Sequence, residues 1–95
     1  MAAQEELQTI AQKLRWARSQ KGWSLDQVAD RCRENGAPIG KATIWKLETE
    51  ECVNFKRYTL QRIVKALGLN YAWVIDPTGL VKEVWADGEN PENKS

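Results

Sequence analysis

The sequence contains no histidine, only two cysteines and no long apolar run, and each absence disfavours a class of function. Without histidine, a zinc site would need carboxylates or ligands from a second chain, so the residue types argue against a metal centre. Enzyme catalysis is also disfavoured, because no Ser or Cys stands beside a base and no glycine-rich loop could hold a phosphate. We therefore predict no catalytic residue, no metal ion and no cofactor.

No apolar run approaches the roughly 18–20 residues that a membrane-spanning helix requires, so we predict no membrane association. The first residues, MAAQEELQ, are acidic and lack the apolar centre of a signal peptide, which favours a cytoplasmic location. Free thiols at Cys32 and Cys52 fit a reducing cytosol. A chain of 95 residues allows one domain with a modest core.

The net charge of +1 is distributed unevenly along the chain. Residues 11–67 contain twelve Lys and Arg against six Asp and Glu, whereas residues 1–10 and 68–95 are acidic. A basic segment of this kind is what binding to a polyanion requires. A solvated helix surface explains the same charge equally well, so charge alone does not decide between the two interpretations.

Two short helices joined by a polar turn are predicted near the middle of the chain. Ser24 and Gln27 have the spacing of an N-terminal capping box, and apolar residues then recur along one helix face. Residues 34–38 (ENGAP) interrupt this periodicity, because Asn-Gly and Pro do not fit inside a helix. In the second helix Ile44 and Leu47 face inward, which leaves lysine, threonine and tryptophan on the other side.

Two further helices complete a compact all-α unit. The first spans residues 5–20, with Lys13 on the side away from its apolar face. The other spans about residues 57–67 and is ended by Gly68.

The C-terminal segment has a different character. Residues 72–75 and 80–85 are rich in β-branched and aromatic residues and flank a turn, so we predict a β-hairpin or strand extension. A short fifth helix at residues 71–75 is the alternative.

Several residues occur in a characteristic order along the four helices: Leu14, Arg15, Arg18, Gly22-Trp23-Ser24, Gln27-Val28-Ala29, Ile39, residues 41–48 (KATIWKLE) and Ala66-Leu67-Gly68-Leu69. In this order they resemble the phage repressor/Cro-like, or XRE-type, helix-turn-helix family. The resemblance covers about residues 6–70. It implies a four- to five-helix lambda-repressor-like domain whose third helix reads the DNA major groove, usually as a dimer on a palindromic operator. Two departures are Leu25, where the family usually has a glutamine that touches DNA, and a turn longer by about five residues, centred on Arg33 to Pro38.

The resemblance and the outward positions of the third helix together define the candidate site. Lysine can donate to guanine or to phosphate, and small side chains let a helix approach the edges of the bases. The residues predicted to read bases are Lys41, Ala42, Thr43, Trp45 and Lys46. Contacts to the DNA backbone are predicted for Ser24, Arg33, Asn54, Lys56, Arg57 and Tyr58. As alternatives, the lysines are ordinary solvated side chains and Trp45 lies sideways on Leu25 or Val28. The resemblance also implies a partly buried ion pair between Arg18 and Glu48.

The C-terminal segment is the candidate dimer interface, because four small helices leave little surface on which to hide its tryptophans. The predicted interface residues are Trp73, Val74, Ile75, Val81, Val84 and Trp85. The alternative is that they fold back over the chain's own core. The predicted domains are a helix-turn-helix domain at residues 5–69, a dimerisation extension at 70–86 and a disordered tail at 87–95.

These observations predict a sequence-specific double-stranded DNA-binding transcriptional regulator. The expected form is a homodimeric repressor of phage, plasmid or mobile-element type, able to repress its own gene, with no small-molecule effector. The alternative is an antitoxin-like module that binds a partner protein through its C-terminal segment as well as DNA.

Overall fold

The computed structural model describes residues 9–49 and 56–86, which form five helices. Within these ranges there is no strand, only an isolated antiparallel bridge between Leu69 and Trp85. The described part of the chain is therefore all-α, and none of its helices is long and apolar enough to cross a membrane. In chain order the helices are α1 (Ile10–Lys21), α2 (Leu25–Glu34), α3 (Lys41–Thr49), α4 (Arg57–Leu67) and α5 (Tyr71–Ile75).

Helix α1 begins five residues later than the periodicity predicts. Thr9 has an extended backbone; its hydroxyl accepts a hydrogen bond from the Gln12 backbone N–H, and the Gln12 side chain accepts one from the Thr9 N–H, both at 3.1 Å. This capping box fixes the helix start at Ile10, so the predicted start at residue 5 is wrong. Residues 5–8 lie outside the described ranges.

The start of α2 has the capping box predicted from the sequence. The Ser24 hydroxyl accepts from the Gln27 N–H at 3.2 Å, and the Gln27 side chain accepts from the Ser24 N–H at 2.7 Å. α2 continues to Glu34, so Arg33 belongs to the helix and the connection to α3 is residues 35–40. Gly36 in this connection has φ +78°, a conformation that glycine adopts without strain.

The core lies between α1, α2, α3 and α4 and continues to α5. Its apolar residues are those that recur at helical spacing in the sequence, and helix α4 has the bounds predicted for it. Among the side chains that are less than 2% exposed are Leu14, Val28, Cys32, Ile44, Leu60, Ile63, Leu67 and Val74.

Lys13 is buried, although the apolar pattern places it on the outer side of α1. Only 4% of the residue is exposed. Its ammonium group donates to the backbone oxygen of Trp73 at 2.7 Å and to that of Asp76 at 3.1 Å. Both carbonyls lie at the C-terminal end of α5, the end of a helix that favours a cation. Burial lowers the pKa of Lys13, and the Asp76 carboxylate opposes that shift.

The C-terminal segment does not form the predicted β-hairpin. Its first half is α5, the alternative at residues 71–75, capped by the Asn70 side chain, which accepts from the Ala72 N–H at 3.1 Å. Its second half, residues 76–86, forms neither a helix nor a strand and returns to the end of α4, where the Ala86 N–H donates to the Gly68 oxygen at 2.8 Å. The hairpin prediction was wrong because most of the β-branched and aromatic side chains of both halves pack into or against the helical core instead of pairing across strands.

Candidate nucleic-acid interface

The outer face of α3 carries the side chains that were predicted to read bases. Ile44, Leu47 and Glu48 are buried against the rest of the protein, and the helical repeat turns the opposite side to solvent. Trp45 is 51% exposed, so about half of its surface faces solvent and is not covered by α2. The exposed residues of this face are Lys41, Ala42, Thr43, Trp45 and Lys46.

An ion pair between Arg18 and Glu48 holds α3 against α1. The Arg18 Nε donates to Glu48 Oε2 at 2.7 Å, and the Arg18 Nη2 donates to Oε1 at 2.9 Å, which makes the pair bidentate. The side chain of Glu48 is 3% exposed and that of Arg18 is 23% exposed. The hydrogen bonding that Arg18 donates to the Glu48 carboxylate raises the pKa of Arg18. The pairing that the resemblance implies is therefore present, and it fixes how α3 lies on α1.

The same arginine reaches the segment between α1 and α2. Its Nη1 donates to the Trp23 backbone oxygen at 2.8 Å. Through one guanidinium group, Arg18 thus links three parts of the chain: α1, the connection between α1 and α2, and α3. The exposed face of α3 is consequently held by a charged network and by the apolar packing of Ile44 and Leu47.

Lys41 forms an exposed ion pair that the sequence did not predict. Its ammonium group lies 3.3 Å from a carboxylate oxygen of Asp26 in the first turn of α2, with side chains 57% and 72% exposed. Pairs this exposed contribute little stability and exchange readily for another anion. Lys41 is therefore placed beside the start of α2, where an anionic ligand would compete with Asp26.

The start of α4 forms a second basic group. The Lys56 ammonium lies 5.7 Å from the Tyr58 ring centroid, and the Arg62 guanidinium lies 4.9 Å from it. Tyr58 is 48% exposed. The first turn of α4 has no acidic residue and Lys56 gives no side-chain cap, so Arg57 adds positive charge at the positive end of the helix dipole. This arrangement favours a nearby anion.

Arg62 belongs to this basic group and was missed by the sequence interpretation. The signal was available, because Tyr58 and Arg62 are four residues apart on α4 and therefore neighbours on one helix face. Asn54, predicted to contact DNA beside this group, lies outside the described residues.

The other two predicted backbone contacts have structural partners of their own. The Ser24 hydroxyl is used in the capping box of α2, although the residue is exposed. Arg33 forms an ion pair with Asp30 one turn earlier on the same helix, and both side chains are exposed. These two residues are accessible, but neither lies on α3.

The predicted dimer interface is largely occupied by the chain's own core. Trp73, Val74 and Val84 are 4%, 1% and 6% exposed, so they are covered within one chain and are not available as a surface. Val81 and Trp85 are partly buried against the same core. Ile75 alone among the six is exposed, at 45%. This is the fold-back alternative, favoured because a small helical core gains apolar area from the segment.

A cluster of three tryptophans joins α1 to the C-terminal segment. The Trp16 ring lies 5.7 Å from the ring of Trp73 and 5.7 Å from that of Trp85. Two lysines lie over these rings, Lys13 at 5.0 Å from Trp73 and Lys21 at 5.3 Å from Trp85. Trp16, which lies off the apolar stripe of α1, therefore packs on the C-terminal segment.

Comparison of the chain with family models, curated proteins and solved structures finds no match in any of the three. The candidate site is thus defined by its own geometry. Glu48 is the sole acidic residue within Lys41–Thr49, and it is buried against Arg18. The exposed face of α3 accordingly combines positive, small and aromatic side chains.

Proposed function

We propose that this protein is a sequence-specific double-stranded DNA-binding transcriptional regulator of the phage repressor/Cro-like helix-turn-helix type. In this proposal α2 and α3 are the helix pair, and α3 enters the major groove. The observation that carries the proposal is the outer face of α3, which is held in place by the Arg18–Glu48 pair and exposes no acidic side chain. A face of this composition is complementary to the edges and phosphates of a duplex.

The exposed residues divide into two roles. Lys41 and Lys46 donate to guanine O6 and N7 or to phosphate, while Ala42 and Thr43 are small enough to let the helix approach base edges. Lys56, Arg57, Arg62 and Tyr58 at the start of α4 bind the sugar–phosphate backbone, which sets affinity and its dependence on salt but carries little sequence information.

The proposed active form is a homodimer that represses by covering a promoter. One chain reads one half-site, so specific affinity for a palindromic operator requires two chains. The core covers most of the predicted dimer interface. Two apolar residues of the C-terminal segment remain exposed, Ile75 at 45% and Leu80 at 78%, and we assign the dimer seam to them. One chain has a mass of 10.9 kDa, so sedimentation equilibrium of the wild type should give twice this value. The double variant Ile75→Glu/Leu80→Glu should sediment as a monomer.

Selection from random duplexes followed by fluorescence anisotropy tests the proposal. The wild-type chain should enrich a defined motif, and Lys46→Ala should weaken binding to it by roughly ten-fold, the loss of one good base contact. Lys82→Ala is the matched control, because Lys82 is exposed but lies outside α3 and the start of α4. If Lys41→Ala and Lys46→Ala keep both the motif and the affinity, α3 is not the reading helix.

A salt titration tests the backbone group separately. Arg57→Ala should lower the slope of log affinity against log salt by about 0.9, because one phosphate contact and its released counterion are lost. An unchanged slope would remove Arg57 from the interface while leaving the α3 assignment intact.

The exposed Ile75 and Leu80 also favour a second candidate, an antitoxin-like protein that binds a partner protein through its C-terminal segment. A DNA-binding unit and a partner-binding segment are compatible in one chain. Co-purification of a stoichiometric partner that is lost with Leu80→Glu, while duplex affinity is kept, would support this candidate over a simple repressor.

A further inference from the structure

The five tryptophans of the chain have two kinds of environment. Trp16, Trp73 and Trp85 contact one another through Trp16, and Trp23 lies under Arg31 at 5.0 Å and Lys21 at 5.1 Å. Trp45 is different: it is 51% exposed, and within residues 9–49 and 56–86 its indole makes no ring contact, cation contact or hydrogen bond. Aromatic side chains are enriched in binding interfaces relative to the rest of a protein surface.

The neighbours of Trp45 on the outer face extend its apolar surface. Helical spacing places Ala42 one turn before it and Thr49 one turn after it. The Thr49 hydroxyl donates to the Trp45 backbone oxygen at 2.8 Å, so the polar group of this threonine is used inside the helix. Ala42, Trp45 and Thr49 therefore form an apolar strip on α3, with Lys41 and Lys46 as the charged residues of the same face.

The charges on this face decide what covers the strip. The exposed charged residues of α3 are both lysines, its acidic residue is buried, and the exposed pair of Lys41 with Asp26 exchanges readily for another anion, so the complementary partner is a polyanion. If that partner is duplex DNA, the major groove offers an indole one apolar feature on its base edges. That feature is the C5-methyl group of thymine, which 5-methylcytosine also carries.

We propose that Trp45 is a specificity-determining residue that recognises a pyrimidine C5-methyl group in the major groove. This inference rests on the proposed function and names the base feature that the α3 face selects. Burial of one methyl group corresponds to about a four-fold gain in affinity, so each recognised methyl should contribute roughly that factor.

The experiment uses the full chain and the duplex obtained by selection. Each thymine is replaced in turn by uracil, which removes only the C5-methyl group, and each cytosine by 5-methylcytosine, which adds one. Dissociation constants are measured by anisotropy for the wild type, for Trp45→Ala and for Lys82→Ala, a control that truncates an exposed side chain outside α3, the start of α4 and the proposed dimer seam. Thermal unfolding of each variant verifies the fold.

The proposal expects the wild type and Lys82→Ala to lose about four-fold in affinity at one or more thymine-to-uracil positions, or to gain about four-fold at a methylated cytosine. The first result assigns thymine as the source of the methyl and the second assigns 5-methylcytosine. Trp45→Ala should respond to neither change. Specific binding with equal methyl discrimination by wild type and Trp45→Ala overturns this inference and leaves the proposed function standing. Duplex binding that does not depend on Trp45 at all overturns it also, and assigns the indole to a protein partner. Absence of saturable binding to any duplex overturns the proposed function together with it.

Discussion

Removing the Glu48 carboxylate should destabilise the protein far more than removing any exposed carboxylate of the described residues. Glu48→Ala leaves the Arg18 guanidinium without the two hydrogen bonds of 2.7 and 2.9 Å that it donates to Glu48. The guanidinium remains charged at all ordinary pH values, so it cannot escape the loss by giving up its proton.

The size of the effect follows from the burial of the pair. Breaking one side of a fully buried ion pair costs about 3–5 kcal/mol, because the remaining charge is left desolvated. Here the Arg18 side chain is 23% exposed and keeps its bond to the Trp23 oxygen, so water and one carbonyl replace part of what is lost. The expected cost is therefore about 2–3 kcal/mol of unfolding free energy. For a chain of this size that corresponds to a fall in Tm of roughly 10–20 °C.

Chemical and thermal unfolding of a matched set of variants measures the effect. Asp26→Ala is the control, because it removes the exposed pair with Lys41 and should cost less than about 1 kcal/mol. In a double-mutant cycle, Arg18→Met combined with Glu48→Ala should cost about 2 kcal/mol less than the two single changes added together. A Glu48→Ala loss below about 0.5 kcal/mol, or additive single changes, would refute the conclusion that this pair holds α3 in place.

Two further predictions concern the C-terminal segment. Trp73→Ala should cost about 3–5 kcal/mol in urea unfolding, because Trp73 is 4% exposed and packs against Trp16, whereas Trp45→Ala should stay within about 0.5 kcal/mol; similar losses for the two would contradict the described packing. Lys13→Met isolates a dependence on pH. The pKa of Lys13 is lowered from its ordinary value of 10.5, so between the two values the unfolded chain binds more protons than the folded one. The stability of the wild type relative to Lys13→Met should therefore rise with pH across that window, and a difference that is constant up to pH 10.5 would contradict it.

The parts of the fold that local signals determine could be predicted from the sequence. The Ser24–Gln27 capping box, the periodic apolar residues and the terminating Gly68 place α2, the buried side of α3, and α4. The start of α1 also has a local signal, the Thr9–Gln12 capping box. The prediction missed it because the apolar pattern continues before Thr9.

The parts that depend on contacts across the chain could not be predicted. The sequence pattern predicts that Lys13 is a surface lysine. Its two carbonyl acceptors come from the end of α5, some 60 residues later, so no local pattern indicates its burial. The C-terminal residues have strand-like composition, but a helical core with room for Trp73 and Val84 overrides that preference.

The candidate site divides in the same way. The exposed positions of α3 follow from its period, and the Tyr58–Arg62 contact from its spacing of four residues. The ion pair between Lys41 and Asp26 joins residues of two helices, so no local pattern could show it.

The central claim is that the exposed face of α3 binds duplex DNA, and a nuclear magnetic resonance titration of the ¹⁵N-labelled chain with its selected duplex tests it most directly. The account predicts the largest chemical-shift changes in residues 41–46, including the Trp45 indole N–H, with smaller changes at residues 56–58 and none at Leu80. Changes confined to the Ile75–Leu80 region, with the Trp45 indole signal unmoved at saturation, would contradict it.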